Sequence, residues 1–377
     1  MALGPGGRCR LSPPAPAPQQ APALPAWPGP RPRGSPLRRP PPPMLTTDSP
    51  ATSRDTAPDD EAWPAPATGT VRHGPRVDAV IVAYRSAADL PACITALRDQ
   101  PEIGRIVVID HGDDGSADVA RRAGADTVVT DPTNPGFGAG QNRGVALTDA
   151  PFVLLCNPDA RLRPGALAAG LRVLDADPGL AAVQGIVEGA GGTDRSAGRE
   201  LGPLHLWGRA LGLRGLLGRP LVRRLAAASP LADAAHRVPA RPTDVDTLAA
   251  TAPLVRRAAF DDVGGFDPSY FLYGEDLDWC RRLRRGGWRL RTLPLAWAIH
   301  REGSSSQNTV GRERAWWNGT LSFAARWWEP RAWVGAVAAG MVAAVRHGHG
   351  HPARTRTNLA VMVGEPLRRR RAADRRV

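Results

Sequence analysis

The residues best suited to chemistry are an acidic turn and a histidine, each next to an apolar, strand-like run. Asn157-Pro-Asp159 directly follows Phe152–Cys156. Mg²⁺ and Mn²⁺ prefer oxygen ligands and usually take only one or two protein carboxylates, so Asp159 is a candidate metal ligand. Asn-Pro-Asp is also an ordinary turn sequence. His300 follows the apolar segment Leu293–Ile299 and is either structural or a second ligand beside Asp159.

A second candidate site is a cluster of three acidic residues at the start of a predicted helix. Glu275, Asp276 and Asp278 precede Cys280, and the helix is expected to end near Gly286. Acidic side chains in a first helical turn complement the helix dipole, which is a purely structural explanation. Alternatively, Asp276 or Glu275 is a general base that takes the proton of an acceptor hydroxyl.

Two further segments suit a nucleotide. Asp110 ends an apolar run, and a carboxylate there can accept a hydrogen bond from a ribose or a base, or it can simply shape a turn. The glycine-rich segment 134–144 enters a predicted helix, where backbone N–H groups and Arg143 suit a diphosphate. It matches neither a P-loop nor a dinucleotide-binding loop after the first strand, so a plain helix entry remains an alternative.

The elements around these residues alternate between strand and helix. Short, β-branched runs predict buried strands, and the segments between them have helical periodicity. The strands are Val77–Ala83, Arg105–Ile109, Thr127–Thr130 and Phe152–Cys156. Ser86 and Asp89 resemble a capping box that would open the first helix. This alternation predicts an α/β fold with a mostly parallel sheet, helices on both faces and a ligand site at the carboxyl ends of the strands.

Composition separates this folded part from its flanks. Residues 1–75 are rich in proline, alanine, glycine and arginine and are expected to be disordered. The region 189–245 interrupts the α/β pattern and contains Leu204–Ala228, an apolar segment interleaved with arginines. Residues 307–350 are predicted to be helical, and 351–377 form a basic tail.

The net charge of +13 lies mainly in the flanks. Residues 1–76 carry nine arginines against five acidic residues, and residues 346–377 carry nine against two. Basic tails attract any polyanion, including anionic lipid, and the core lacks a nucleic-acid-reading motif, so no nucleic-acid partner is expected.

The cysteines and the lengths of the apolar runs indicate where in the cell the protein is expected. The four cysteines show no paired spacing, which favours a reducing compartment. The longest apolar run, Ala332–Val345, is shorter than the roughly 20 residues needed to span a bilayer. The expected location is therefore cytoplasmic. The arginine-flanked Leu204–Ala228 and Trp316–Val345 suit an anionic membrane surface, although a core helix with solvated arginines would have the same pattern.

The order and spacing of these motifs, from Val77 to about Ser306, resemble family 2 glycosyltransferases, which have the GT-A fold, and in particular the bacterial rhamnosyltransferase-like branch. Seven stretches carry the resemblance: VIVAYRS, VVIDHGDDGSAD, NPGFGAGQNRG, LLCNPDA, VRRAAFDDVGGFD, FLYGEDLDWCRRLRRGGWR and AIHREGSS. It implies a glycosyltransferase domain over residues 76–306.

The resemblance also implies residue roles. Residues of the donor site would be Ala83, Tyr84, Asp110, Gly138, Asn142, Arg143 and Asn157. Asp276 would be the general base with Glu275 supporting it, while Asp159 and His300 would bind Mg²⁺ or Mn²⁺. The family expectation is an inverting single displacement in which the metal stabilises the departing nucleotide diphosphate.

The chain departs from the family pattern at three places. His111 stands where relatives usually have asparagine, and Ala250–Pro253 replaces a Ser-Gly-Ala-like segment that borders the acceptor pocket. Asn157 replaces the first acid of the metal motif, which predicts a lower metal affinity.

The expected function is sugar transfer from a dTDP-rhamnose-like or UDP-sugar donor to a glycan or polyprenyl-linked acceptor. This reaction would serve cell-envelope synthesis at the inner face of the plasma membrane. Two alternatives remain: a nucleotidyltransferase, which would want a basic glycine-rich loop near the first strand, and a non-catalytic nucleotide-sugar-binding protein. Intact Asp159, Asp276 and His300 weigh against the latter.

Overall fold

The computed structural model describes residues 76–189, 192–193, 197–212, 240–301, 309–348, 352–364 and 366–367. The predicted tail 1–75, the part of Leu204–Ala228 after residue 212 and residues 351, 365 and 368–377 of the basic tail lie outside the described residues.

A large mixed sheet forms the centre of the protein. Its strands are β1 (Val77–Ala83), β2 (Ile103–Asp110), β3 (Thr127–Thr130), β4 (Phe152–Cys156), β5 (Ala160–Leu162), β6 (Leu180–Gly189), β7 (Gly192–Thr193), β9 (Thr243–Val245), β11 (Leu254–Arg256) and β12 (Arg289–His300). The main order is β3-β2-β1-β4-β11-β6-β12-β5, with β7 beside β6 and β9 beside β12. A small separate sheet pairs β8 (Ala197–Gly198) with β10 (Thr247–Leu248).

The sheet is mostly parallel, which confirms the predicted fold class. β1 pairs in parallel with both β2 and β4, and β6 pairs in parallel with β12. β11 enters antiparallel between β4 and β6. The carboxyl ends of β1, β2 and β4 consequently share one edge of the sheet, which is where polar loops can meet.

Ten described helices surround the sheet. They are α1 (Leu90–Arg98), α2 (Ser116–Arg122), α3 (Phe137–Val145), α4 (Ala166–Ala176), α5 (Pro203–Ala210), α6 (Arg257–Asp262), α7 (Glu275–Arg285), α8 (Thr309–Trp327), α9 (Pro330–Gly348) and α10 (Pro352–Leu359). A π-helical turn, Ala360–Gly364, follows α10.

Each face of the sheet has its own hydrophobic core. β1 alternates between them: Val77, Ala79 and Ile81 pack with α1 and α4, whereas Val80 and Val82 face α3, α6 and α7. All of β1 is buried because both faces are covered, which explains its continuous apolar sequence.

A third apolar cluster joins the C-terminal helices α8 and α9 to α5. Its buried members include Leu206, Trp317, Leu321, Trp333 and Ala336. Trp317 and Trp333 belong to Trp316–Val345, a segment whose sequence suits a membrane surface, but both side chains pack inside the protein. No helix in the described part of the chain combines the length and the apolar character needed to cross a bilayer.

Two sequence-based predictions need correction. The Ser86–Asp89 capping box is wrong because α1 begins at Leu90 and its N-cap residue, Asp89, makes no side-chain cap hydrogen bond. Ser86 Oγ instead donates to the backbone oxygen of Tyr84 at 3.1 Å. His300 does not follow a strand but is the last residue of β12.

Candidate functional site

Asp159 and His300 come together at one edge of the sheet. His300 ends β12, which pairs with Ala160 of β5, and the turn before Ala160 carries Asp159. His300 Nε2 lies 3.2 Å from Asp159 Oδ1 and 3.4 Å from the side-chain nitrogen of Asn157. Two residues far apart in sequence are therefore held side by side by strand pairing.

This pair has donor chemistry that fits a divalent cation. Ligands about 2.1 Å from an octahedral ion and at right angles to each other are about 3 Å apart, close to the observed 3.2 Å. Among the described residues, no group of three or more His, Cys, Asp and Glu side chains could hold a metal. An ion bound by Asp159 and His300 would therefore need further ligands from substrate phosphates and water.

The acidic pair Glu275 and Asp276 opens α7. The preceding turn, Tyr273–Gly274, is left-handed, with φ values of 65° and 88°. Leu277 N donates to Asp276 Oδ1 at 2.8 Å. The Asp276 carboxylate, which is only partly exposed, is thus fixed at the helix N-terminus.

The two carboxyl groups have different surroundings. Glu275 is 4% exposed, and its Oε2 has no hydrogen-bond partner among the described residues. Burial, and then the adjacent Asp276 charge, hold the pKa of Glu275 well above its usual value. Burial also raises the pKa of Asp276, but backbone N–H groups, including those of Leu277 and Ala250, counteract the shift. Of the two carboxyl groups, Asp276 is therefore the one whose ionised form the backbone N–H groups stabilise.

One backbone segment links the acidic pair to the metal-ligand pair. Thr251 O accepts a 2.8 Å hydrogen bond from Asn157 N, and the neighbouring Ala250 N–H faces the Asp276 carboxylate. The segment 250–251 thus contacts both the turn that carries Asp159 and the start of α7. No local pattern pointed to Ala250 and Thr251 as connectors, although their segment departs from the family sequence.

Asp110 is buried and organises the loop after β2. Its two carboxylate oxygens accept 2.9 Å hydrogen bonds from Gly112 N and Ala117 N. Burial nevertheless raises its pKa. The carboxylate shapes the loop, and it stands beside His111, whose Nε2 is buried with no partner among the described residues. His111 was not among the predicted site residues.

The predicted donor residues at the start of the chain differ in exposure. Ala83 is fully buried at the end of β1, and its carbonyl accepts a 2.8 Å hydrogen bond from His111 N. Tyr84 is 42% exposed, and Arg85 lies over its ring. Tyr84 is therefore the more available of the two for stacking on a base.

The polar residues of the glycine-rich segment already have internal partners. Asn142 bonds the backbone of Phe266 through both ends of its amide, at 2.8 Å each. Arg143 forms a 2.7 Å ion pair with Asp131, and both side chains are mostly buried. Because these side chains already form contacts within the protein, neither Asn142 nor Arg143 has all of its N–H donors available for a diphosphate.

Gly138 has a different role in the same helix. A Cβ atom at Gly138 would lie 2.9 Å from Phe266 Cβ and 3.6 Å from Glu275 Cβ. Glycine at this position therefore lets α3 approach Phe266 and the start of α7 closely.

Comparison with known proteins identifies the family of this chain. The chain belongs to the family described as glycosyltransferase like family 2, whose model matches residues 75–319. With its mostly parallel sheet and helices on both faces, it is a glycosyltransferase of the GT-A type.

Two curated relatives are rhamnosyltransferases. N-acetylglucosaminyl-diphospho-decaprenol L-rhamnosyltransferase of Mycobacterium tuberculosis is 30% identical over 245 residues, which are 60% of this chain and 76% of the relative. Rhamnosyltransferase WbbL of Escherichia coli is 39% identical over 74 residues, 20% of this chain and 28% of the relative. A mannosyltransferase from Pyrobaculum calidifontis, solved with GDP-Man and Mn²⁺, overlaps with a TM-score of 0.46 at 17% identity, covering 84% of this chain and 88% of that one.

Proposed function

We propose that this glycosyltransferase moves a sugar, with inversion, from a nucleotide-diphosphate donor to a hydroxyl of a lipid-linked acceptor in cell-envelope synthesis. The observation that carries the proposal is that one backbone segment contacts both sets of residues: Thr251 O accepts a hydrogen bond from Asn157 N, in the turn that carries Asp159, and Ala250 N–H faces the Asp276 carboxylate. The Asp159–His300 pair suits the departing diphosphate, and the Asp276 carboxylate suits the attacking hydroxyl.

Asp276 would accept the proton of the acceptor hydroxyl as that oxygen attacks the anomeric carbon. Its partly exposed carboxylate is oriented by backbone N–H groups, so it is held ready for the incoming acceptor. Burial and the neighbouring Asp276 charge disfavour the ionised form of Glu275, which raises its pKa and favours placing the negative charge of the pair on Asp276.

Asp159 and His300 are the residues that would hold Mg²⁺ or Mn²⁺ in this proposal. The bound ion would supply positive charge where the nucleoside diphosphate departs. Because Asn157 is an amide rather than a carboxylate, the protein contributes less negative charge to the site, and binding of the ion is expected to depend on the donor.

The donor would lie along the ends of β1, β2 and β4. Tyr84 is exposed and suits the base, while the backbone loop fixed by Asp110 suits the ribose. The proposed contribution of Asn142 and Arg143 is to hold the walls of the donor site, since their side chains bind Phe266 and Asp131. A dTDP-rhamnose-like or UDP-sugar donor is proposed from the similarity to rhamnosyltransferases.

A lipid-linked acceptor is proposed from two observations. One relative acts, by its name, on a diphospho-decaprenol acceptor. Among the described residues, most of the exposed large apolar side chains lie on α9 and on or just after α5: Leu204, Leu211, Val334, Met341, Val342 and Val345. Exposed Arg331 and Arg346 stand near the two ends of α9, which suits an anionic bilayer at the inner face of the plasma membrane.

The central test is a transfer assay with a panel of dTDP- and UDP-sugars, a polyprenyl-diphosphate acceptor and Mn²⁺ or Mg²⁺. Asp276→Asn is expected to lower kcat by about 10²–10⁴-fold. The matched control is Asp261→Asn, which changes an exposed helical aspartate and should leave kcat unchanged. Equal rates for wild type and Asp276→Asn would exclude the assigned base, and no metal-dependent transfer from any donor would exclude the proposed reaction.

Membrane association is tested separately with vesicles. Binding to anionic vesicles at low salt, and release at high salt, is expected because arginines near a surface are screened by ions. Equal, salt-insensitive binding to neutral vesicles would contradict the electrostatic part of the proposal.

A further inference from the structure

The turn that presents the acidic pair has an unusual backbone. Tyr273 has φ 65°, a left-handed conformation that a bulky residue seldom adopts. Gly274 follows with φ 88°, which glycine adopts readily. A non-glycine residue persists in such a conformation only when its surroundings fix it, so the neighbours of this turn matter.

The neighbour is the backbone of α8. A Cβ atom added to Gly319 would lie 2.5 Å from the carbonyl carbon of Tyr273 and closer still to its oxygen. Conversely, a Cβ atom on Gly274 would lie 2.5 Å from the carbonyl oxygen of Gly319. Two main chains therefore touch where neither position can carry a side chain.

Gly319 has no evident local reason to be glycine. It lies within the 19-residue helix α8, where glycine is less favourable than alanine. The close contact with Tyr273 supplies the reason, because any larger residue would have to push the turn away from α8.

A second contact holds α7 to α8 one turn further along. Trp327 Nε1 donates to Asp278 Oδ1 at 2.8 Å, and Arg326 lies 3.2 Å from the same oxygen. Asp278 is fully buried, so this contact is protected from water. The start of α7 is thus fixed by α8 at two levels, on either side of Asp276.

We propose that α8 is the support that positions the catalytic base, and that Gly319 is a positioning residue for Asp276. The inference rests on the proposed function in that it takes Asp276 as the base. The atoms nearest to a Cβ atom added at Gly319 belong to Tyr273 and Leu272, and neither is a predicted donor residue. A shift of the turn should therefore slow transfer while leaving donor affinity nearly unchanged.

The test compares Gly319→Ala with Gly335→Ala. Gly335 lies in α9, which is also 19 residues long, and a Cβ atom added there would have Trp207 Nε1, 3.9 Å away, as its nearest neighbour. Gly319→Ala is expected to lower kcat at least tenfold, with the donor Kd from calorimetry within about twofold of wild type. Gly335→Ala should change neither quantity. Equal kcat values for the two folded variants would overturn the proposal.

Two further measurements keep the test decisive. If Gly319→Ala does not fold, Trp327→Phe loosens the second contact by removing one hydrogen bond and should still lower kcat at least threefold. Amide hydrogen exchange of residues 270–280 in the substrate-free protein should be faster in either variant, whether or not a donor is known. Faster exchange in a chain that transfers no sugar would refute the proposed function alone, and unchanged exchange would refute the support by α8.

Discussion

Asp278 offers a quantitative test of how α7 is attached to the C-terminal helices. Its side chain is fully buried, and Oδ2 accepts a 2.7 Å hydrogen bond from Arg282 Nε, whose side chain is only 9% exposed. Oδ1 accepts the Trp327 hydrogen bond. Arg282 also donates to the carbonyls of Val263 and Gly265, so this carboxylate neutralises a cation that holds a neighbouring turn.

The expected cost follows from removing one partner of a buried ion pair. Asp278→Ala leaves Arg282 without its compensating charge, which typically costs about 3–5 kcal/mol. Trp327→Phe removes one hydrogen bond to a charged group and should cost about 1.5–3 kcal/mol. Because both changes act on one carboxylate, their effects in the double variant should not add, and a coupling of about 0.5–3 kcal/mol is expected.

Urea unfolding followed by circular dichroism measures these free energies without relying on tryptophan emission. The matched control is Asp118→Ala, because Asp118 pairs with Arg121 at 2.7 Å while both side chains are more than half exposed. That change should cost less than about 1 kcal/mol. If Asp278→Ala destabilises the protein no more than Asp118→Ala, the attribution of stability to burial of the ion pair is wrong.

Three other predictions concern buried groups near the site. Glu275 has a raised pKa in the folded protein, so its contribution to stability is complete below the ordinary value of 4.5 and is lost as the pH rises through the folded pKa. The melting temperature of Glu275→Gln, measured relative to that of wild type, should therefore increase as the pH rises from about 5 to about 8. A difference between the two melting temperatures that does not change with pH would contradict this. Asp110→Asn places an amide where two backbone N–H groups now donate and should cost about 1–3 kcal/mol in urea unfolding. Unchanged stability would show that the loop does not depend on the charge of that carboxylate. Gly144→Ala would overlap Val80 Cγ1 and should cost about 1–3 kcal/mol by the same measurement, whereas Gly208→Ala, with nothing within 4 Å, should not.

Strands with local signals could be predicted from the sequence, whereas their order could not. Val77–Ala83, Thr127–Thr130 and Phe152–Cys156 match their predicted bounds because each is a short, apolar run with high β-propensity. β6 was not predicted because Gly185 and alanines interrupt its pattern. Gly185 is needed there, since a Cβ atom would lie 2.7 Å from Leu295 O and 2.9 Å from Trp297 Cβ. The antiparallel entry of β11 between β4 and β6 depends on pairing that no local pattern encodes.

At the candidate site, too, some features could be predicted from the sequence and others could not. A polar site at the carboxyl ends of the strands was predictable, because parallel strands bring these ends to one edge of the sheet. The contact between Asp159 and His300 has another cause, since β5, which begins directly after Asp159, pairs antiparallel with the end of β12. The partners of Asn142 and Arg143 were not predictable. Asn142 binds Phe266, which is 124 residues away, and that contact exists only once the tertiary structure has formed. The catalytic, donor-binding and metal-binding roles of these residues stay predictions.

Two buried cysteines, Cys93 and Cys156, lie next to the Asn157 turn, so their reactivity can report when the structure opens there. Cys93 Sγ lies 3.8 Å from Cys156 Sγ and 3.5 Å from the carbonyl oxygen of Asn157, and neither side chain is exposed. The contact with Cys156, together with burial, raises the pKa of the Cys93 thiol well above its usual value, so alkylation requires both access and ionisation. The rate at which a thiol reagent modifies Cys93 or Cys156 therefore measures how often α1 separates from β4, and a ligand that steadies the Asn157 turn should slow that chemistry.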